Sequence, residues 1–556
     1  MKQSVTLTQG CYCGSAEKDK TLSFKGIPYA APPVGDLRFK APQPLSAGSE
    51  SFDADHFGPA CSQVSGRPKH GKGWFGGNFD EDCLYLNVFT PALDGKRRPV
   101  LFWIHGGAFI LGSANLYDGS HLADQGDVVV VTINYRLGVL GFVDIGAVTE
   151  EPVPSNNGIR DIIAALRWVR DNISAFGGDP DKITISGESA GSIAVSQLLL
   201  ADSARGLFNQ AIMQSGSVNL MHDRAMAKAT SDAYRTALDN PTLAQLQAMP
   251  VQELLEAQVN VSKLMGGAIA AYPFYDNDLL PASMDQAWET NPAPVRLMAG
   301  FTREETALFE KVPFLNSVRV DRPYLELQIN RELDTKRAQD ILRLYPKTTE
   351  CNRALATDIY FANSTRRTAE RQAKFETCWF YRFDYTHPWL GAAHGLELLF
   401  LWNMNGLLPV LARGGALTRK RLDLAHLIRE SWINFVRHGN PGEHWAPFEE
   451  DGQKIMLLNL ESKVVSDPIS SDTEAFDELR KYASQVSRLT LLRMLEKLVP
   501  EFFSSLCNVR TLILKCAAVS FRVVLPTPSL LATNLSTCIS KLLGILLNSF
   551  LESASR

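Results

Sequence analysis

The chain has 556 residues, long enough for several domains, although one open α/β sheet with insertions also fills such a length. Hydrophobic residues make up 45% and charged residues 21%, an ordinary globular balance that supplies a core and excludes global disorder. A formal net charge of −4 gives no electrostatic reason to expect nucleic acid or an anionic membrane as partner, so a small, weakly charged substrate is expected.

At the N-terminus, Met1 to Leu7 holds one cation and no continuous apolar run before Cys11, so the sequence as written carries no secretory signal and a cytoplasmic location is expected. The first segment reads as β-rich, with a hairpin-like start and the turn Ala31-Pro32-Pro33-Val34-Gly35. Leu84 to Thr90, Val100 to His105 and Val128 to Asn134 are apolar, β-branched runs suited to central strands buried on both faces. Asn157 to Asn172 places Ile159, Ile162, Ile163, Leu166, Trp168 and Val169 at helical spacing, which predicts an amphipathic helix. Lys182 to Ser186 is the next short strand and Ala190 to Leu200 a buried helix. This alternation predicts a mostly parallel, doubly wound α/β sheet with helices on both faces.

Ala225 to Leu264 reads as a helical insertion with Leu243, Leu246, Met249, Leu254 and Leu255 as its apolar positions. A strand at Val295 to Ala299 runs into Gly300, a second at Cys378 to Asp384 precedes a loop at Gly391 to Leu401, and a long helix spans Arg421 to His438. Beyond Val486 the character changes: between Glu501 and Arg556 five basic residues stand against two acidic ones among many Leu, Val and Ser. The expected division is therefore 1–485 and 486–556. Lys515 and Arg522 interrupt the apolar stretch after Leu512, so no transmembrane helix is predicted. Nine cysteines are too few for a disulfide scaffold, and no pair sits at zinc-ligand spacing beside histidines.

Gly187-Glu188-Ser189-Ala190-Gly191 falls between the strand ending at Ser186 and the helix starting at Ala190. That context makes it a nucleophile elbow, a tight turn that forces the serine into strained backbone geometry while the glycines remove clashing side chains. A serine hydroxyl is a poor nucleophile at neutral pH and needs a general base and a third residue to orient that base. In α/β-hydrolases these follow in the order serine, acid, histidine. Of the downstream histidines His387, His394, His426, His438 and His444, His394 lies in a glycine-flanked loop after a strand. His426 falls within a helix, and His438 and His444 in a Gly-Pro turn. The acid is expected in Gly300-Phe301-Thr302-Arg303-Glu304-Glu305, where spacing does not separate Glu304 from Glu305. Ser189 Oγ is expected beside one ring nitrogen of His394 and the acid beside the other. The oxyanion of a tetrahedral intermediate needs preorganised amides, each worth roughly 3 kcal/mol. His105-Gly106-Gly107-Ala108-Phe109 supplies them from Gly107 and Ala108, joined by Ala190, because small residues let backbone approach substrate closely. No cofactor or metal is required by this chemistry.

From about residue 5 to 480 the chain resembles the type-B carboxylesterases, the group of cholinesterases and bacterial para-nitrobenzyl esterases. The resemblance rests on Phe24-Lys25-Gly26-Ile27-Pro28-Tyr29-Ala30, Glu81-Asp82-Cys83-Leu84-Tyr85-Leu86-Asn87, His105-Gly106-Gly107, Asn134-Tyr135-Arg136-Leu137-Gly138 and Phe176-Gly177-Gly178-Asp179-Pro180. It implies the α/β-hydrolase fold and hydrolysis of carboxylic esters through an acyl-enzyme. The family pattern Gly-x-x-x-x-Glu selects Glu305, and the His-Gly-x-Glu setting matches His394-Gly395-Leu396-Glu397. Glu188 and Ser215 match positions that help hold the histidine. The resemblance also implies a Cys61–Cys83 disulfide, which, if formed, favours a secreted or periplasmic location. Trp74 lies near the cation-binding tryptophan of cholinesterases, but the local loop differs in length and Trp74 reads as a gorge-lining or surface aromatic. The segment 486–556 matches nothing in the family. Its role stays open between an appended interaction segment, a surface-lying amphipathic stretch around Leu542 to Leu551 and a tail without fixed structure. A catalytically silent binding relative is the rival reading; such relatives usually lack the nucleophile or the histidine, and both are present here. A second rival keeps the enzyme and changes the bond to a lactone, carbamate or amide.

Overall fold

The computed structural model describes residues 3–17, 21–64, 78–216, 221–265, 269–311, 318, 320–404, 418–449 and 454–466. Trp74 and the whole segment 486–556 lie outside the described residues. The strands are β1 (Gln3–Leu7), β2 (Gly10–Ala16), β3 (Leu22–Pro28), β4 (Ser51–Asp53), β5 (Ala60–Cys61), β6 (Phe79–Asp80), β7 (Tyr85–Thr90), β8 (Arg98–Ile104), β9 (Tyr117–Asp118), β10 (Val129–Ile133), β11 (Gly178–Glu188), β12 (Gln210–Gln214), β13 (Arg296–Thr302), β14 (Cys378–Phe383), β15 (Asn403–Met404), β16 (Lys454–Leu458) and β17 (Lys463–Ser466).

One large sheet runs in the order β1-β2-β3-β7-β10-β8-β11-β12-β13-β14-β16-β17, with β4 paired to β2. The neighbours from β10 through β16 are all parallel, while β1, β2, β3 and β7 at one edge and β17 at the other pair antiparallel. The sheet is doubly wound because successive residues of each central strand serve different cores. In β8, Val100, Phe102 and Ile104 join one buried cluster, while Leu101 and Trp103 join another across the sheet. The period of two that puts alternate side chains on opposite faces explains why these strands read as unbroken apolar runs.

Helices cover both faces. Asn157–Asn172 buries Ile159, Ile162, Leu166 and Val169 on one side, and Arg419–His438 buries Leu424, Ile428, Trp432 and Phe435 on the other. Asp161 lies on the buried face of the first helix, and its carboxylate accepts from Arg136 Nε at 2.8 Å and Nη2 at 2.7 Å. That pair is almost wholly excluded from water and pins the segment leaving β10 to the helix.

Several expectations need refinement or correction. The insertion over 225–264 is helical as expected, divided into Arg224–Ala237, Leu243–Ala248 and Val251–Leu264. Asp239 and Asn240 take positive φ ahead of Pro241, and Pro250 caps the third helix, so the prolines that lack an amide proton break the run. A second helical insertion, Arg322–Glu332, Thr335–Leu344 and Thr349–Thr357, has its own small core of Leu325, Ile329, Ile341 and Leu355 and was not anticipated. The loop at 391–401 ends in a short helix, Leu398–Leu401. His438 closes the helix Arg419–His438, with Gly439 at φ 68° terminating it, instead of lying in a turn. Among the described residues no helix is long and apolar enough to cross a membrane.

Candidate active site

The order β10-β8-β11 means that the chain crosses to one side of β8 and returns on the other, so the loops after β8 and β11 diverge and open a crevice at their carboxyl ends. Ser189 stands in that crevice. β11 ends at Glu188, the helix Ala190–Leu198 begins one residue after Ser189, and Ser189 itself has φ 55° and ψ −123°, a backbone state that non-glycine residues rarely adopt. The two framing glycines are there for space. A Cβ on Gly187 would sit 2.4 Å from the Gly191 carbonyl carbon, and one on Gly191 would sit 2.1 Å from the Ile104 carbonyl oxygen. Ser189 N donates to Gln214 O at 2.9 Å, and Ser189 Oγ makes no hydrogen bond among the described residues.

His394 is carried by the loop after β14 and is 8% exposed. Its Nδ1 donates to Glu305 Oε2 at 2.5 Å, and the other Glu305 oxygen accepts from Thr302 N at 2.7 Å. Glu305 thus bridges the end of β13 to the ring. Glu304 does a different job, since its Oε2 accepts from Ala392 N at 2.8 Å while its own N donates to Ala392 O at 2.9 Å. One of the two adjacent carboxylates meets the imidazole and the other ties down the loop that carries it.

The Nε2 of His394 faces Glu188 Oε1 at 3.1 Å, off hydrogen-bond alignment, and not the hydroxyl of Ser189. Electrostatics account for the approach. Burial opposes a charge on His394, but the carboxylates of Glu188 and Glu305 outweigh it and lift the imidazole to about 9. Burial pushes Glu188 up to about 7, with the charge of His394 opposing and that of Glu305 adding. A third buried carboxyl, Glu397, is pushed up to about 8 by burial first and then by Glu188 and Glu305. Its Oε1 accepts from Gln214 Nε2 at 3.3 Å, and Gln214 Oε1 accepts from Trp432 Nε1 at 3.1 Å. Ser215, expected beside the histidine, is buried at φ 56° with its amide on Gly300 O at 2.8 Å, and among the described residues its Oγ makes no hydrogen bond.

Two rings missed by sequence reasoning flank the imidazole: Phe309 at 5.3 Å and Phe361 at 4.9 Å between centroids. Phe361 belongs to a π-helical stretch, Asp358–Ala362, between Thr349–Thr357 and Asn363–Ala373. Such widened turns cluster at functional sites because they re-aim one side chain, and no sequence period announces them.

Opposite, the loop after β8 holds three consecutive positive φ values: Gly107 at 116°, Ala108 at 54° and Phe109 at 60°. A side chain on Gly106 would run into Glu188 and Ser189, which sets this loop against the elbow. Burial pushes His105 down to about 4, so it is neutral; its Nδ1 lies 2.8 Å from Gly106 O, and Tyr135 Oη donates to its carbonyl at 2.8 Å. Among the described residues the amides of Gly107, Ala108 and Ala190 make no hydrogen bond.

Cys61 and Cys83, implied as a disulfide, are buried free thiols here, and a hydrogen bond between them together with burial raises the Cys83 pKa.

A strained serine between strand and helix, at the switch point of a doubly wound parallel sheet, defines an α/β-hydrolase. The sequence profile of the carboxylesterase family matches residues 2–476. The chain is 37% identical to the para-nitrobenzyl esterase of Bacillus subtilis (strain 168), over 84% of this chain and 97% of that one. It is 32% identical to the phenmedipham hydrolase of Pseudarthrobacter oxydans, over 82% and 94%. A solved thermophilic para-nitrobenzyl esterase superposes with a TM-score of 0.77 at 35% identity, covering 86% of this chain and all of its own. The chain belongs to the carboxylesterase family and is a serine hydrolase of carboxylic esters.

Proposed function

We propose that Ser189, His394 and Glu305 act as nucleophile, base and orienting acid in a two-step acyl transfer to water. Ser189 Oγ attacks the ester carbonyl as His394 Nε2 takes its proton; the tetrahedral oxyanion is held by the amides of Gly107, Ala108 and Ala190; the proton passes to the departing alcohol. Water then attacks the acyl-enzyme, gives its proton to His394, and releases the acid with the proton returned to Ser189. Glu305 holds the ring and stabilises its charged form, and Glu188 lends charge at Nε2. The observation that carries the reading is a serine at φ 55° in the elbow, next in sequence to the Glu188 that a buried His394 meets, with the His394 Nδ1 bound to Glu305. In the structure Nε2 lies against Glu188, and the mechanism requires it to meet the serine hydroxyl once substrate is bound. Residues 1–485 are read as the hydrolase unit, supported by a family match that ends at 476, and 486–556 as a separate segment.

The relative named para-nitrobenzyl esterase makes nitroaryl esters the first substrates to try. Hydrolysis of para-nitrophenyl esters from acetate to laurate is measured beside Ser189→Ala. Turnover with an initial burst in the wild type and a loss on the order of 10⁴-fold or more in the variant are expected. Full activity in Ser189→Ala defeats the mechanism.

A further inference from the structure

Beside the oxyanion loop stands a pair of polar rings that the mechanism does not use. Phe109 follows Ala108 directly, and the Tyr272 ring meets it edge-on at 5.8 Å; His222 in turn meets Tyr272 at 5.4 Å. The backbone fixes the pair, because His222 N donates to Pro273 O at 3.0 Å and His222 bridges to Phe274 in parallel register. His222 is only 8% exposed, yet neither its ring nitrogens nor the Tyr272 hydroxyl makes a hydrogen bond among the described residues. A buried imidazole and a half-buried phenol thus stand side by side with polar atoms that no described protein group satisfies, free to bond a ligand.

Which half of an ester reaches them follows from the chemistry. The departing alcohol must take its proton from His394, so the alcohol occupies the histidine side, where Phe309 and Phe361 stand. The carbonyl oxygen points at Gly107 and Ala108. Phe109 continues from that loop, Tyr272 packs on Phe109 and His222 on Tyr272, so the pair follows from the oxyanion side, the side left for the acyl chain.

Resting on the serine-esterase reading above, we propose that His222 and Tyr272 form a hydrogen-bonding subsite that selects acyl chains carrying an uncharged, hydrogen-bond-accepting oxygen, such as an ether or ketone, over plain alkyl chains. His222 offers an N–H and Tyr272 an O–H toward that oxygen. The group bound is uncharged because burial pushes His222 down to about 4, leaving a neutral imidazole and no cation to pair with a carboxylate.

The test compares para-nitrophenyl hexanoate with its two isosteres in which carbon 4 or carbon 5 of the acyl chain is replaced by oxygen. The readout is the ratio of kcat/KM for ether over alkyl chain, in wild type, His222→Leu and Tyr272→Phe. Each variant is expected to lower that ratio by about 3- to 10-fold for at least one isostere, the range of one hydrogen bond to a neutral group. Tyr272→Phe deletes only the hydroxyl and keeps the ring against Phe109, so it separates recognition from packing. A ratio unchanged in both variants, including one left unchanged because all three esters slow equally, overturns the subsite while leaving the mechanism standing. Hydrolysis that persists in Ser189→Ala instead removes the reading on which the subsite rests.

Discussion

The two flanks of Ser189 are held by opposite means. On the histidine flank the parts are side chains and the glue is charge: Glu188, Glu305 and Glu397 surround one buried imidazole and raise its proton affinity, while burial and neighbouring carboxylates raise Glu188 and Glu397. On the oxyanion flank the parts are backbone amides, held by three successive positive φ values and a neutral His105 packed on Tyr135. The first flank is therefore vulnerable to any change of charge or pH, and the second to added bulk where the backbone is crowded, down to one methyl group on Gly107.

Glu305→Gln tests the first half most severely. It keeps the shape and removes the charge that steadies the imidazolium, and kcat/KM for para-nitrophenyl hexanoate is expected to fall on the order of 10⁴-fold, with circular dichroism unchanged. Near-normal turnover would mean that charge is not what this flank contributes.

Gly107→Ala tests the second half. Its Cβ would lie 2.0 Å from the Leu111 carbonyl oxygen at a backbone φ of 116°, so the loop must move and its amides with it. A loss of about 10²- to 10³-fold in kcat is expected, comparable to deleting one oxyanion donor. An unaffected kcat at saturating ester would break the assignment of the loop.

Glu188→Gln produces a displacement and not only a loss. His394 accepts a proton only when neutral, and the Glu188 carboxylate favours its protonated form, holding the imidazole up toward about 9. Removing that charge lowers the histidine pKa, so the acid limb of the kcat/KM profile moves to lower pH, by roughly one pH unit. A limb that stays in place or moves to higher pH contradicts the coupling seen at Nε2.

Ala108→Gly is the mildest change. It relieves a non-glycine residue at φ 54°, worth about 1 kcal/mol, and adds unfolded-chain freedom that costs about the same. Thermal unfolding and kcat are both expected to stay close to wild type, and a large loss of activity would show that the Ala108 methyl itself touches substrate.

Periodicity made the framework legible. Asn157–Asn172 is a helix over the residues its apolar spacing predicted, and β8, β10, β13 and β14 lie within one to three residues of the apolar runs that foretold them. Such elements meet one layer of core on each face, so local pattern and global packing agree. The elbow was legible because its glycines answer a steric demand that only glycine meets. Less was visible where the determinant is three-dimensional. Glu304 and Glu305 differ by one residue and separate only when Ala392 and His394 are brought to them. Phe361 reaches the imidazole through a π-helical turn that leaves no trace in spacing. The helical insertion at 322–357 packs on a small private core, and its first helix shows almost no one-sided apolar pattern to read.

The bond from Ser189 N to Gln214 O is followed by one from Ser215 N to Gly300 O, so the ladder of the parallel sheet continues past its strand ends through three neighbouring turns. The nucleophile is thereby part of the same cooperative unit as the sheet. On slow heating, the capacity of Ser189 to react with an organophosphate should disappear together with the sheet's circular dichroism signal and not ahead of it. Early inactivation would have to begin in the loop that carries His394.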